Sequence, residues 1–517
     1  MPNYFKIYGW LLALCSSLSL PAQSPAEFEW LDAPKSPERQ YTMALLRAGY
    51  EGFHLLRWQD EITDYQGNST PAYPVLVHLD HQGKVKKSRP APGFEPGAGR
   101  TFHWAVSNDS LVLFGYHTQD QYYAFNTRLF DLRRGDWADT EETQLWLSPP
   151  EDPEPFARGW FIRSPDGNFT ALYWSDRKLF KYALLDRSLR IVYKKEVIWP
   201  SELNTVADVP EVFCSNQGDL FLFARASPAP GRQTILFPPH PENYRKDGAR
   251  LDVPPGVLMT SSGNPLINMI LLLKKGEDKY HIFYPNTGKK FISSLLFSQQ
   301  GEGPVLCAGL ASDEDYDRSE SFFVYQIEPG SVQANVLQNA ALSPALRNAF
   351  PTCRGDGPAA SQALQHLWLR QWLWTADGRP WLLAEGEHGE GEIETGEAAL
   401  LRLDSTWKIN SVRRIDKYQE VKTYRGYRYS GSTALIPAGK SWWALWHKGR
   451  FPNARLMLTD CKSGGDPLAY ELVGGSQLTL ALLPHTQFYY QGKWYFAGDS
   501  ASGDRFGVGV LSRKPKK

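Results

Sequence analysis

SPDGNFTALYW, residues 164–174, sets a Ser-Pro-Asp-Gly-Asn turn directly before a run in which Phe169, Ala171 and Tyr173 alternate with Thr170, Leu172 and Trp174. Gly and Asn accept the positive φ angles of tight turns, and an alternating run rich in aromatic and β-branched residues is a strand signature. The same form returns along the chain. It is present in FHWAVSNDSLVLFGYH (102–117), WFIRSPDGNFTALYW (160–174), EVFCSNQGDLFLFAR (211–225) and SLLFSQQGEGPVLCAGL (294–310). WLWTADGRPWLLAEG (372–386), ALIPAGKSWWALWHKG (434–449) and QFYYQGKWYFAGD (487–499) follow. Each reads as a β-hairpin closed by Gly, Asp, Asn or Lys.

Further strand candidates lie between the hairpins, such as KYALLDRSLRIVYKKEVIW (181–199) and AALLRLDSTWKINSVRRI (398–415), so each unit is a four-stranded meander. Four strands repeating every 50–60 residues or so are the pattern of a β-propeller, whose radial blades leave no long open edge. Units beginning near 43, 102, 160, 211, 294, 369, 432 and 485 predict about eight blades, and the irregular stretch 226–290 leaves seven or nine open. The last unit shows three strands, and a strand near Phe28-Glu29-Trp30 is expected to supply the fourth and close the ring. A helical period is confined to SPALRNAF (343–350), within an insertion or linker loop at about 338–365. The expected fold is therefore all-β, a single propeller domain over 24–517. Tandem β-sandwiches are the alternative, since they too need short strands and polar turns.

The 517 residues carry 56 basic and 56 acidic side chains and are 42% hydrophobic and 13% aromatic. That composition excludes a disordered chain and lacks the basic footprint of a nucleic-acid binder. Residues 1–22, with Lys6 ahead of an apolar run and small residues around Ala22, read as a signal peptide too short to span a bilayer. Export to the periplasm, cell surface or medium is the expectation. The alternative is a lipoprotein anchored at Cys15, because Leu12-Ala13-Leu14-Cys15 looks like a lipobox with Leu14 in the small-residue position. No later segment is apolar for long enough to form a transmembrane helix.

Two resemblances attach to quoted residues. SPDGNFTALYWSD resembles the Ser-Pro-Asp-Gly repeats of TolB-type propellers. VLCAGLASDEDYDRSESFFVYQIE (305–328), PWLLAEG (380–386) and RRIDKYQEVKTYRGYRYSGSTALIPAGKSWWALW (413–446) together resemble a group of uncharacterised secreted β-propeller-like proteins of Bacteroidota. The resemblance implies export and a propeller-like fold, and it implies no activity.

Cys214 and Cys307 lie in strand-like runs, where a free cysteine behaves as a small apolar residue; Cys353 and Cys461 lie in loop-like contexts, and their pairing is open. The loop EGEHGEGEIETGE (385–397) offers Glu387, Glu390 and Glu392 as oxygen ligands for Ca²⁺, against a solvated, self-repelling loop. Asp313, Asp315 and Asp317 stand at alternate positions like the start of a calcium loop, but Arg318 and Val324 occupy the positions where an EF-hand needs Gly and Glu. Ser500 in GDSASGD reads as a turn residue, since its esterase-like context is at the wrong place in the chain. Trp442, Trp443 and Trp446 could stack on sugars, against packing between blades; Trp442 and Trp446 are expected on one strand face and Trp443 on the other. No local motif supplies a catalytic pair, and no cofactor is called. The sequence therefore points to an exported binding or scaffold protein, with an exported protein or a glycan as partner. The alternative is a hydrolase or lyase acting on polysaccharide or peptide, its site assembled at the central channel from distant strand ends.

Overall fold

The computed structural model describes residues 24–514 apart from inter-strand segments, the longest being 91–100, 149–159, 229–256, 354–362 and 423–432. The leader 1–22 with Cys15 lies outside the described residues. Eight blades of four antiparallel strands form a β-propeller, and a short parallel pairing of Gln419–Lys422 with Trp442–Arg450 joins blades six and seven. The first strand of each blade is Gln40–Gly49, Thr101–Ser107, Trp160–Arg163, Leu203–Cys214, Phe291–Gln299, Leu367–Trp374, Ala434–Pro437 and Phe488–Tyr490. These starts follow the expected units closely, and the count is eight. First strands of several successive blades touch one another, so they line the axis. Last strands such as Val85–Pro90 and Ala334–Ala341 are mostly exposed and form the rim.

Closure is as the sequence suggests. Ala26–Trp30 pairs antiparallel with Phe506–Arg513, Phe28 opposite Leu511 and Trp30 opposite Gly509, and so completes blade eight. Because the chain runs on from this strand into blade one, its pairing with Phe506–Arg513 ties the first blade to the last.

The core is distributed. Eight hydrophobic clusters lie one to a seam between neighbouring blades. Both faces of a blade are therefore buried, which is why the opening strand is apolar on each side: Ala171 faces blade four, while Leu172 and Trp174 face blade two. The irregular stretch after residue 226 separates the second strand of blade four from its third, Pro265–Leu273.

The proposed insertion at 338–365 is corrected in part. Ala334–Ala341 is the regular fourth strand of blade five, and the insertion begins after it. The expected helix is there, Pro344–Ala349, with Ser343 Oγ accepting from the Leu346 amide at 3.2 Å and Pro at the first turn, where no donor is needed. It presses Leu346 and Ala349 into the seam between blades five and six. All four described cysteines are free and buried. Cys353 and Cys461 are thus core residues despite their loop-like sequence context, and burial pushes both thiols up to about 12. Among the described residues no helix is long and apolar enough to cross a membrane.

Candidate functional site

Two kinds of turn end the strands on one side of the ring. In the hairpin joining first and second strands, a hydroxyl closes the loop: Ser164 Oγ accepts from the Phe169 amide at 3.0 Å and donates to Asp166 at 2.6 Å. Gly167 sits there at φ +71, as the opening sequence requires. Ser215 with Gly218 and Thr375 with Gly378 repeat the arrangement in blades four and six. The turns are stitched across seams. Asn216 accepts from the Asp166 amide at 2.9 Å and donates to the Gly301 carbonyl at 2.6 Å, so blades three, four and five share one side chain.

The second kind joins third and fourth strands and begins with Asp. Asp80, Asp186 and Asp404 each accept, through Oδ1, the amides two and four residues on, at 2.8 to 3.1 Å. The residue three after each Asp has positive φ: Gly83 at +89, Leu189 at +61 and Trp407 at +63. Leu189 is buried in the seam between blades two and three, which offsets its backbone cost. Trp407 is only half-buried.

Trp407 stands at the edge of a cleft of about 620 Å³ between blades five and six. Trp374, Gln300, Gln326, Arg379 and Asn410 line it as well. The Trp374 indole donates to Ser298 Oγ at 2.8 Å and stacks on Trp372 at 5.9 Å and 9°, so its position is fixed. Arg379 is paired with Asp377 at 3.1 Å, and Gln326 donates to Glu328. The side-chain amides of Gln300 and Asn410 have no hydrogen-bond partner among the described residues. Asp404 is the carboxylate in the described lining; the Thr406 hydroxyl and the turn amides hold it below the usual carboxylate range.

The residues singled out from sequence fall elsewhere. Trp442, Trp443 and Trp446 are 6, 7 and 2% exposed, and the stacking role is corrected: Trp442 and Trp446 pack against blade six and Trp443 against blade eight. Their alternation is as expected, and a blade with two buried faces leaves neither side for a ligand. Asp313 pairs with Lys289 at 2.6 Å, Asp315 with Arg318 at 3.7 Å while accepting the Asp317 amide, and the Asp317 carbonyl accepts from His366. The carboxylates of Asp313 and Asp315 are thus each turned to a different basic partner. Among the described residues no three His, Cys, Asp or Glu side chains group as metal ligands. Glu390 lies outside the described residues, as do the side chains of Glu387 and Glu392. Ser500 Oγ donates to Asp504 at 2.6 Å and accepts from the Arg505 amide, which makes it a turn residue.

The acidic loop is shorter than it reads. Glu385 is 1% exposed and accepts from Lys417 Nζ at 2.9 Å and from the Thr433 amide and hydroxyl at 2.9 and 2.8 Å, with Arg370 Nε at 3.6 Å. Burial alone would raise its carboxyl, but Lys417 and Arg370 outweigh that and hold it low. Glu397 is buried too and accepts from the Thr352 hydroxyl. Nearby His447 is pushed down to about 3 by burial and by Lys417, so it is neutral and accepts the Leu482 amide at 3.5 Å.

On the first strand of blade four, Glu211 pairs with Phe223 beside a β-bulge, and its partly buried carboxyl has no hydrogen-bond or ion-pair partner among the described residues. Burial pushes it up to about 8, and its field reaches Tyr173 of blade three and Cys307 of blade five.

No family model matches the chain, and no curated protein matches it. Solved structures to which it is similar include two prolyl endopeptidases analysed for inter-domain dynamics, at 10% identity over 96% of this chain and TM-score 0.38. The chain spans 60% of that longer chain. The Dos1 propeller is similar at 10% identity over 96% of both chains, TM-score 0.41, and Sqt1 from Chaetomium thermophilum at 13% over 95% of this chain and all of that one, TM-score 0.38. Likeness at this level says nothing about function; the propeller rests on the strand pairing described above.

Proposed function

We propose that the protein is an exported, non-catalytic binding protein whose ligand seats in the cleft between blades five and six. The observation that carries this is an indole held at positive φ beside amides without partners, all mounted on hydrogen-bonded turns of a rigid ring. A preformed site with few polar groups and an aromatic wall binds with little ordering cost. The carboxylate in the described lining is engaged by its own turn, so the described residues of the cleft offer no acid–base pair. The leader-like residues 1–22 and the resemblance to secreted Bacteroidota propellers support export. The test incubates purified protein with cell-envelope glycans and peptides while following retention together with new reducing ends and new amines. Saturable retention without products, lost in Trp407→Gly, is expected; multiple-turnover products would overturn the non-catalytic reading.

A second reading, a hydrolase or lyase working at the central channel, is favoured by one observation, the unpartnered Glu211 carboxyl whose raised pKa suits a general acid. Products that vanish in Glu211→Gln would establish it.

A further inference from the structure

We infer that the ligand of this cleft is an oligosaccharide, with a pyranose ring on the indole of Trp407 and its hydroxyls bonded to the amides of Gln300 and Asn410. This rests on the cleft being the binding site and adds the chemical class of what fills it.

Three observations converge. The first is the backbone. The same Asp-initiated turn is built with Gly83 in blade one and with a buried Leu189 in blade three, so the turn itself needs no indole. A half-buried tryptophan at φ +63 carries the left-handed cost without full burial in return, and such strain collects at binding sites. The second is the polar complement. A side-chain amide offers a donor and an acceptor on one plane, which matches a sugar hydroxyl that is itself both. Gln300 and Asn410 supply this from facing blades, and neither is engaged elsewhere among the described residues. The third is charge. Of the two arginines in the wall, Arg379 is 54% exposed and already paired with Asp377, whereas Arg402 has no ion-pair partner among the described residues, and Asp404 holds its own turn. A metal-bound ligand would want free carboxylates, which the described lining does not present, while Arg402 leaves room for an acidic sugar as well as a neutral one. A volume of about 620 Å³ lies within the range of small-ligand sites.

The experiment titrates the protein, by calorimetry and tryptophan fluorescence, with hexaoses of β-1,4-linked glucose, β-1,4-linked N-acetylglucosamine and α-1,4-linked glucose, a hexauronate, and a pool of envelope peptides. Three variants are used: Trp407→Gly, which the turn accommodates as it does Gly83, and Gln300→Ala and Asn410→Ala, whose side chains are exposed and unpartnered. At least one of the four hexasaccharides should bind saturably. Trp407→Gly should weaken it about tenfold or more, and each amide variant about threefold, with melting temperatures of the amide variants unchanged. Binding by none of the four hexasaccharides overturns the inference, and a hexauronate bound about tenfold above every neutral one assigns an acidic sugar to Arg402. If peptides alone bind and Trp407→Gly abolishes it, the cleft stands and the saccharide falls. If ligands bind and all three variants leave binding unchanged, the cleft itself falls.

Discussion

Arg57→Met tests how the ring is held shut. Arg57, in the second strand of blade one, and Asp499, in the second strand of blade eight, are both fully buried and lie 3.4 Å apart across the seam that the chain ends close. The guanidinium also donates to Gln40 Oε1 at 3.2 Å, the Gln40 carbonyl at 3.0 Å, Ser36 Oγ at 3.0 Å and Thr42 Oγ1 at 3.3 Å, and lies 3.8 Å over the Phe506 ring. Asp499 is gripped from blade one as well, by the Thr42 amide at 2.5 Å and hydroxyl at 2.7 Å. Methionine fills much of the same volume but strands a buried carboxylate, and removing one partner of such a pair costs about 3–5 kcal/mol. Burial already raises the Asp499 carboxyl against Arg57. Without Arg57 it rises further, and a protonated Asp499 needs no counter-charge. The deficit in the variant should therefore be largest at neutral pH and shrink in acid, once the carboxyl is protonated in folded and unfolded chains alike. Guanidinium chloride unfolding read by tryptophan fluorescence gives the loss. The double variant Arg57→Met/Asp499→Asn should recover at least about 1–2 kcal/mol of it. A single-variant cost below about 1 kcal/mol, or a double variant no more stable than the single, would refute the clasp.

Gly167→Val should cost about 1–3 kcal/mol, because the position is at φ +71 and a Cβ there would sit 2.8 Å from the Arg163 guanidinium; a melting temperature equal to wild type would show that the turn relaxes without strain. Glu211→Gln should flatten the pH dependence of stability between the ordinary carboxylate range and about 8. The raised carboxyl keeps a proton that the unfolded chain releases, so the wild type loses stability by up to about 1.4 kcal/mol per pH unit across that window and levels off above it. Parallel denaturation series at pH 5, 7 and 9 would reveal it, and identical slopes would remove Glu211 from the account. Asn216→Ala, which cuts a side chain shared by three blades, should lower stability by about 1–3 kcal/mol in the same assay, whereas a change within about 0.5 kcal/mol would make the inter-blade stitching incidental.

What was legible in the chain was local. A Gly or Asp turn between two short β-rich runs is decided by backbone sterics within a dozen residues, and its recurrence gave the blade starts. The irregular stretch after residue 226 blurred the count because an insertion lengthens a connection without altering the strands on either side. Less visible were the turns that place Leu189 and Trp407 at positive φ, where glycine would have announced them. The signal was available: DHQGK, DRSLR and DSTWK share an Asp followed at three by the special residue. The Glu-rich segment misled for a different reason. Charge density is local, but whether a carboxylate is buried depends on what arrives from elsewhere, and Lys417 and Thr433 reach Glu385 from 32 and 48 residues away.

The tryptophans show how the architecture, once known, sorts the candidates. Both faces of a blade's inner strands pack on its neighbours, so the tryptophans of Trp442–Arg450 are carried into a seam whichever way the strand alternates. Trp442 and Trp446 go one way and Trp443 the other, and all three are buried. Dense aromatic strands are therefore packing in this fold, however much they look like a sugar-binding surface in one dimension. Exposure returns where strands end, since only there does a seam open to solvent. Trp374 is the last residue of its strand and Trp407 belongs to a turn, and they meet from separate positions in blade six at the mouth of one seam. A ligand site in a propeller of this kind is accordingly sought among aromatics at strand ends and turns, and the incomplete burial of Trp407 is the sign that distinguishes it from Leu189, which shares its turn position and positive φ but is buried.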